Sequence, residues 1–251
     1  YTDENGNLQF YDNEVDNYEQ NHYQLHFSHE INTVINIGTS LFYTAGEGYY
    51  EQYKEGENFD DYLLEPLIIG ANTIDETDLI RRKWLDNDLY GFRAYLNFAG
   101  TRLEVSSGVG YSRYLGDHFG TVIWARYMNN AEIRHRWYEG TGDKSEMNVF
   151  SRANYSLTKR LSLYADIQYR SIDYSITGTD DDLRTLDQDH KFNFINPKMG
   201  INYNPVDNQR IYASFSIANR EPTRSNFVDA DPAQPTPVHA TLYDYEFGHA
   251  F

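Results

Sequence analysis

Cysteine is absent from the 251 residues, so neither disulfides nor thiolate-bound metal can hold this chain together. Missing too is any apolar run long enough for a spanning helix, and mean hydropathy is −0.71. That excludes a helical membrane protein but not a barrel, in which only every second residue faces lipid. Basic residues are scarce: 21 Lys and Arg stand against 38 Asp and Glu, for a net charge of −17. Such a surface repels phosphate backbones, which argues against nucleic acid as a partner. There is no Gly-rich phosphate loop, no nucleophile elbow and no assignable pair of catalytic carboxylates. The chain does not read as an enzyme and implies no cofactor.

What is present is a rhythm. The composition is 40% hydrophobic and 16% aromatic, with 23 Tyr, which sets the chain apart from disordered sequences. Four short polar connections, near Glu30–Thr33, Ala99–Thr101, Thr158–Arg160 and Asn204–Asn208, each join two stretches of alternating apolar and polar residues. Between these hairpins lie polar excursions at 51–79, 116–134, 175–189 and 220–240. Acids concentrate outside the alternating stretches: Asp3, Glu4, Asp12, Glu14 and Asp16 at the start, Glu55, Glu57, Asp60 and Asp61 in the first excursion, Asp180–Asp182 in the third. Short turns at one end and long loops at the other are the signature of an outer-membrane barrel. Tyr1 opens in polar sequence without Met or leader, and Phe251 closes an apparent strand, so the chain reads as an excerpt.

The alternation predicts about nine strands and no helix of useful length. In the first, Tyr23, Leu25 and Phe27 face one way while His22, Gln24, His26 and Ser28 face the other. Leu103, Val105, Val109 and Tyr111 repeat the pattern, as do Leu161, Leu163, Ala165, Ile167 and Tyr169. The polar faces carry Arg93, Glu104, Asp166 and Arg170 in mid-strand. Unpaired in a dry sandwich core, each would cost several kcal/mol; lining a wet or plugged barrel they are ordinary. The competing arrangement is a soluble antiparallel sheet with one solvated face and its apolar face on a core. Pro197, inside a strand, predicts a bulge or local irregularity. Tyr residues crowd the strand ends, among them Tyr43, Tyr49, Tyr50, Tyr111 and Tyr169, as interfacial girdles require.

The later strands carry a resemblance. Asn196-Pro197-Lys198-Met199-Gly200-Ile201-Asn202-Tyr203 resembles the NPK-x-G-x-x-Y strand of TonB-dependent outer-membrane receptors. Arg210–Phe215 with Ala218-Asn219-Arg220-Glu221-Pro222-Thr223-Arg224 is similar to their YAS-F…A-x-REPTR strand and loop entry. Leu242-Tyr243-Asp244-Tyr245-Glu246-Phe247-Gly248 is similar to a following strand. Gly116-Asp117-His118-Phe119-Gly120 with Val122-Ile123-Trp124 resembles a loop of Bacteroidetes-type iron-chelate receptors. The resemblance implies an all-β, transmembrane, antiparallel up-and-down barrel, with residues 1–251 as one partial barrel domain within a 22-stranded whole. It further implies TonB-dependent uptake of a ferric siderophore or a similar scarce nutrient such as haem or cobalamin. The partners would be the TonB complex, reached through a plug absent from these residues, and outer-membrane lipid.

Candidate ligand-binding residues are the loop aromatics and mouth cations: Tyr49, Tyr50, His118, Phe119, Trp124, Arg220 and Arg224. Rings beside scattered Arg suit flat, aromatic, anionic chelates, whereas loop-on-loop packing would use the same rings structurally. Arg220, Glu221 and Arg224 are expected as an ion-pair cluster, and Asp180–Asp182 as a solvated acidic tip. His22 and His26 stand four residues apart on a strand, about 13 Å, too far to share a zinc ion. Two other classes stay open on the residues: a soluble or surface-attached glycan-binding module, and a barrel enzyme, for which no nucleophile–base pair can be assigned.

Overall fold

The computed structural model describes residues 5–129, 132, 134–231 and 233–251; Asp3 and Glu4 lie outside these. In chain order the elements are β1 (Asp16–Glu30), β2 (Ile35–Asn58), a 3-10 turn (Phe59–Tyr62), β3 (Leu67–Ile69), β4 (Asn72–Ile74) and β5 (Glu76–Ala99). There follow β6 (Leu103–Ala125), β7 (His135–Ser156), β8 (Leu161–Thr179), β9 (Thr185–Tyr203), β10 (Arg210–Arg220), α1 (Arg224–Val228) and β11 (Ala240–Ala250). Nine strands form one antiparallel sheet in the order β1-β2-β5-β6-β7-β8-β9-β10-β11, while β3 and β4 make a separate small hairpin. Each strand neighbours the next, as an up-and-down barrel requires, and the sheet is open at β1 and β11. None of the described helices is long and apolar enough to cross a membrane.

The four short connections fall where the alternation breaks, at 31–34, 100–102, 157–160 and 204–209. Local side chains shape two of them. Asn32 Oδ1 accepts from the amides of Val34 and Ile35, both at 2.9 Å, and Thr158 Oγ1 accepts from Arg160 and Leu161 at 3.1 and 3.0 Å.

The long excursions are a correction. Strands continue through much of what reads as loop: β2 runs to Asn58, β5 starts at Glu76, β6 reaches Ala125, and β8 and β9 meet at a turn over 180–184. Gly116–Trp124, expected in a loop, is strand. A 24-residue strand spans about 80 Å, while a tilted membrane-crossing strand needs only about 10 residues. Along the remainder of the long strands the apolar–polar contrast fades although the ladder of backbone bonds persists, as it would where water meets both faces.

Within the band the two faces differ as expected. Register aligns Tyr23, Tyr43 and Tyr90 in one outward row; Leu25, Leu41, Phe92, Tyr111 and Met147 in the next; Phe27, Thr39, Ala94, Val109, Val149 and Tyr169 below. Many of these side chains stand open, Leu25 at 65% and Phe27 at 58% exposure, and no second layer covers them among the described residues. Tyr49 and Tyr50 stand well above that girdle, and Tyr174 points inward and is buried.

The opposite face is polar and paired. His22 and His26 bond Thr44 and Ser40, Arg152 bonds Asp166 at 2.9 Å, and Arg170 grips Glu146 through two bonds of 2.8 Å. Pro197 leaves the β8–β9 ladder continuous, so the expected bulge is absent there. It stands instead where β9–β10 pairing stops, one residue past Lys198. Lacking an N–H, Pro197 cannot extend that ladder. Asn196 Oδ1 takes over, accepting from Asn219 N and Nδ2 at 3.0 and 2.9 Å.

The buried apolar clusters sit above the band rather than inside it. One joins Phe59, Tyr62, Leu64, Leu79, Val122, Trp137 and Tyr138; the other joins Tyr174, Ile176, Leu186, Phe227 and Val228.

Candidate functional site

Two segments fold inward over the mouth. The first is the tight turn between β8 and β9, closed by bonds from Asp180 N to Arg184 O and Leu183 N to Asp180 O, both 2.9 Å. Asp181 reaches across to pair with Lys83 of β5, and its carbonyl accepts from Trp137 Nε1 at 3.3 Å. Asp180 is buried, with Arg224 Nη2 3.6 Å away, and only Asp182 turns outward, to Arg184. The expected solvated tip is therefore wrong for Asp180 and Asp181, because cations on facing elements draw their carboxylates inward.

The second is the connection after β10. Thr223 caps α1, accepting from Asn226 N while Asn226 Oδ1 accepts from Thr223 N at 2.9 Å. Phe227 and Val228 are each 3% exposed and bury against Tyr174, Ile176 and Leu186. Glu221 is held by Lys144 Nζ at 2.6 Å and Arg170 Nη2 at 3.3 Å. Burial pushes its carboxyl up, but those two cations prevail and hold it below the usual range. The expected Arg220–Glu221–Arg224 cluster is thus divided. Glu221 pairs with β7 and β8, Arg224 turns toward Asp180, and Arg220 is exposed at a separate cavity of about 780 Å³ under the connection.

Between these segments and the wall of β1, β2, β5 and β6 lies a recess of about 590 Å³. Tyr18, Tyr50, Lys83, His118, Tyr138 and Arg224 line it. Strand register assembles it: Tyr18, Gly48, Leu85 and His118 occupy one transverse row, and Tyr50, Lys83, Gly120 and Tyr138 the row above. Burial, assisted by the nearby Arg224 charge, lowers the His118 pKa to about 4, against a weaker pull from Asp117. Burial raises Asp180 and the Tyr138 hydroxyl. Arg224 Nε and Nη2 are buried without a hydrogen-bond acceptor. That edge is charge-paired with Asp180 at 3.6 Å but not hydrogen-bonded, and an arriving anion could supply the missing acceptor.

Of the residues expected at a site, the recess gathers Tyr50, His118 and Arg224. Tyr49 borders it, but its ring packs on Trp84 at 4.5 Å under Arg82 at 4.1 Å. Phe119 stacks on the far side of Trp84 at 5.7 Å beneath Arg136 at 4.0 Å, so both rings belong to a stack on the outward face. Trp124 is 45% exposed near the top of β6 and outside the recess. Tyr18 and Lys83 escaped the sequence reading, and Asp181 was read there only as part of a solvated tip. The register row through His118 would have flagged Tyr18, but nothing local signals the reach of Asp181 to Lys83. No set of three or more His, Asp or Glu is placed to hold a metal ion among the described residues.

A family model described as TonB dependent receptor-like, beta-barrel, matches residues 1–244. No curated protein matches. Among solved structures, the chain is similar to the ferric-catecholate import receptor Fiu from E. coli K12 in its closed form. That similarity covers 97% of this chain and 39% of that one at 14% identity, with a TM-score of 0.71. A copper transporter, OprC, is matched over 92% of this chain and 35% of its own at 10% identity, TM-score 0.69. The siderophore receptor PiuA from Acinetobacter baumannii is matched over 94% and 38% at 11% identity, TM-score 0.61. At these identities the likeness is one of fold, and the chain spans under two-fifths of each of these receptors.

Proposed function

This chain belongs to the TonB-dependent receptor β-barrel family, and from that membership we propose that residues 1–251 form part of the wall and mouth of an outer-membrane uptake receptor. Its cargo is an anionic, ring-bearing metal chelate of the ferric-siderophore kind, captured at the recess before passage through the barrel. The observation that carries this reading is Arg224: a buried guanidinium edge that has only a 3.6 Å ion pair to Asp180 and no hydrogen-bond acceptor, opening on a recess walled by Tyr18, Tyr50 and Tyr138. The rings supply flat apolar surface, and the guanidinium supplies a forked donor for carboxylate or catecholate oxygen. The names of the similar receptors, two for iron chelates and one for copper, agree with a metal cargo. Energy coupling would run through a plug and TonB, and lipid would cover the outward rows. A soluble glycan-binding module leaves those open apolar rows without an occupant.

Growth on single nutrient sources tests this. A strain lacking the full receptor should lose growth on one class of ferric chelate and regain it with the wild-type gene. The Arg224→Gln gene should restore it only at roughly tenfold higher chelate concentration, since losing a charged hydrogen bond costs about 1.5 kcal/mol. Growth lost on haem or cobalamin alone would overturn the siderophore assignment.

A further inference from the structure

Resting on the uptake reading above, we propose that His118 binds the metal of the incoming chelate directly, as a single exchangeable ligand, while Arg224 holds an anionic donor of the same complex. His118 lines the recess, and its side chain makes no hydrogen bond to any described residue. Among the other polar groups of the recess, Asp16 and Asp229 are exposed carboxylates on its rim, while those deeper in are paired or phenolic. Tyr18 of β1 donates to Asn87, Lys83 of β5 pairs with Asp181, and Asp180 faces Arg224 from the turn. Tyr138 of β7 stays a protonated phenol, and Asp117 on His118's own strand accepts from Thr141 on the outward face. The imidazole is the one nitrogen ligand of the recess whose ring is not tied up by a protein partner.

The absence of a three-ligand cluster among the described residues sharpens the assignment. One imidazole cannot hold a bare ion, so the metal must arrive carrying most of its donors, which is what a chelate does. The step is a ligand exchange. The ring nitrogen replaces a water on the metal, the water leaves, and no proton or electron is transferred. Arg224 fixes the complex's orientation by pairing with a carboxylate or phenolate arm. The substrate class is therefore an anionic chelate with at least one labile coordination position, in contrast to a coordinatively saturated one.

Copper(II)–nitrilotriacetate is the probe: a monoanion whose remaining positions hold exchangeable water. Titrated into the purified full receptor and followed by electron paramagnetic resonance, it should fill one site with the hyperfine pattern of a single imidazole nitrogen. His118→Gln should abolish that pattern and weaken binding at least tenfold, whereas Arg224→Gln should weaken binding but keep the pattern. Amide exchange over residues 224–228 reports whether the mouth remains folded in each variant. A mutation-free check uses the wild type: with ascorbate in aerated buffer, dioxygen reduced at the bound copper should oxidise His118 ahead of the other seven histidines. An unchanged spectrum in folded His118→Gln, or oxidation spread over exposed histidines, overturns the inference. Growth on the chelate separates the two readings, since a wild type that transports while His118 binds no copper leaves uptake standing and removes only the metal ligand.

Discussion

Phe227 lies face to face on His190, ring centroids 3.7 Å apart and planes 13° from parallel. That stack fastens to β9 the helix α1, whose Arg224, Ser225 and Val228 line the recess. Phe227→Ala removes it, together with the contacts to Tyr174, and should cost about 3 kcal/mol of docking. Amide exchange over residues 224–228 should then accelerate on the order of 100-fold, with the rest of the sheet unaffected.

The same stack predicts a pH dependence. Burial holds the His190 pKa below its ordinary value, only partly offset by Asp189. The undocked state therefore binds the proton more readily, and docking is fully favoured above the unfolded histidine value of about 6.5. As pH falls through that value toward the lower folded one, docking weakens. An imidazole NMR titration should show the His190 pKa rising in Phe227→Ala.

Glu221 makes a second anchor, with its side chain 11% exposed between Lys144 and Arg170. Glu221→Ala leaves the partly buried Lys144 without its counter-charge and Arg170 with Glu146 alone, and should loosen the connection by about 2 kcal/mol, below the loss for a fully buried pair. A double-mutant cycle with Lys144→Ala should return a coupling of about 1 kcal/mol or more. Because the folded pKa of Glu221 is depressed, its contribution is present above the unfolded value of about 4.3 and disappears as pH falls through the folded one. Proteolysis of residues 229–239 at graded pH would follow that loss.

Legibility in the sequence tracked dielectric contrast. Where one face meets hydrocarbon and the other water, as along Tyr23–Phe27 or Leu161–Tyr169, period-2 alternation reveals strand, turn and face together. Above the band the contrast disappears, and residues 51–58 or 116–125 look like loop although their backbones stay paired, with register shifts at Lys54–Glu57 and at Val122–Trp124. The site suffered for that reason. Read as loop residues, Tyr49 and Phe119 seemed free to meet a ligand, but on a strand their parity sends them outward. Contacts across the mouth, such as Asp181 with Lys83, connect residues far apart in sequence and leave no local trace.

The two faces can be tested at consecutive positions. Ile167 points outward at 54% exposure, while the side chain of Gln168 faces inward and accepts from Asn196 at 3.3 Å. Ile167→Lys should destabilise insertion by about 2–4 kcal/mol near mid-bilayer, and Gln168→Lys by well under half of that. Urea-dependent refolding of the full receptor into lipid vesicles measures both. Equal penalties would contradict the assignment of the faces.

Gly120 ties the wall to the recess through close approach. It sits in register between Lys83 and Tyr138, and a Cβ there would stand 2.3 Å from Trp137 Cη2. Trp137 is 2% exposed, packs on Tyr62 at 5.0 Å and donates to the Asp181 carbonyl, so the ring cannot simply lift away. Gly120→Ala must push the indole off its seat, breaking its hold on the turn over 180–184, at about 1–3 kcal/mol. Because Asp181 also pairs with Lys83, the displaced turn should bring Lys83 partly back to solvent. The expected outcome is a red-shifted tryptophan emission and faster modification of Lys83 by an amine reagent, with sheet content by circular dichroism unchanged. If emission and lysine reactivity both stay at wild-type values, the wall and the turn are not coupled through Trp137.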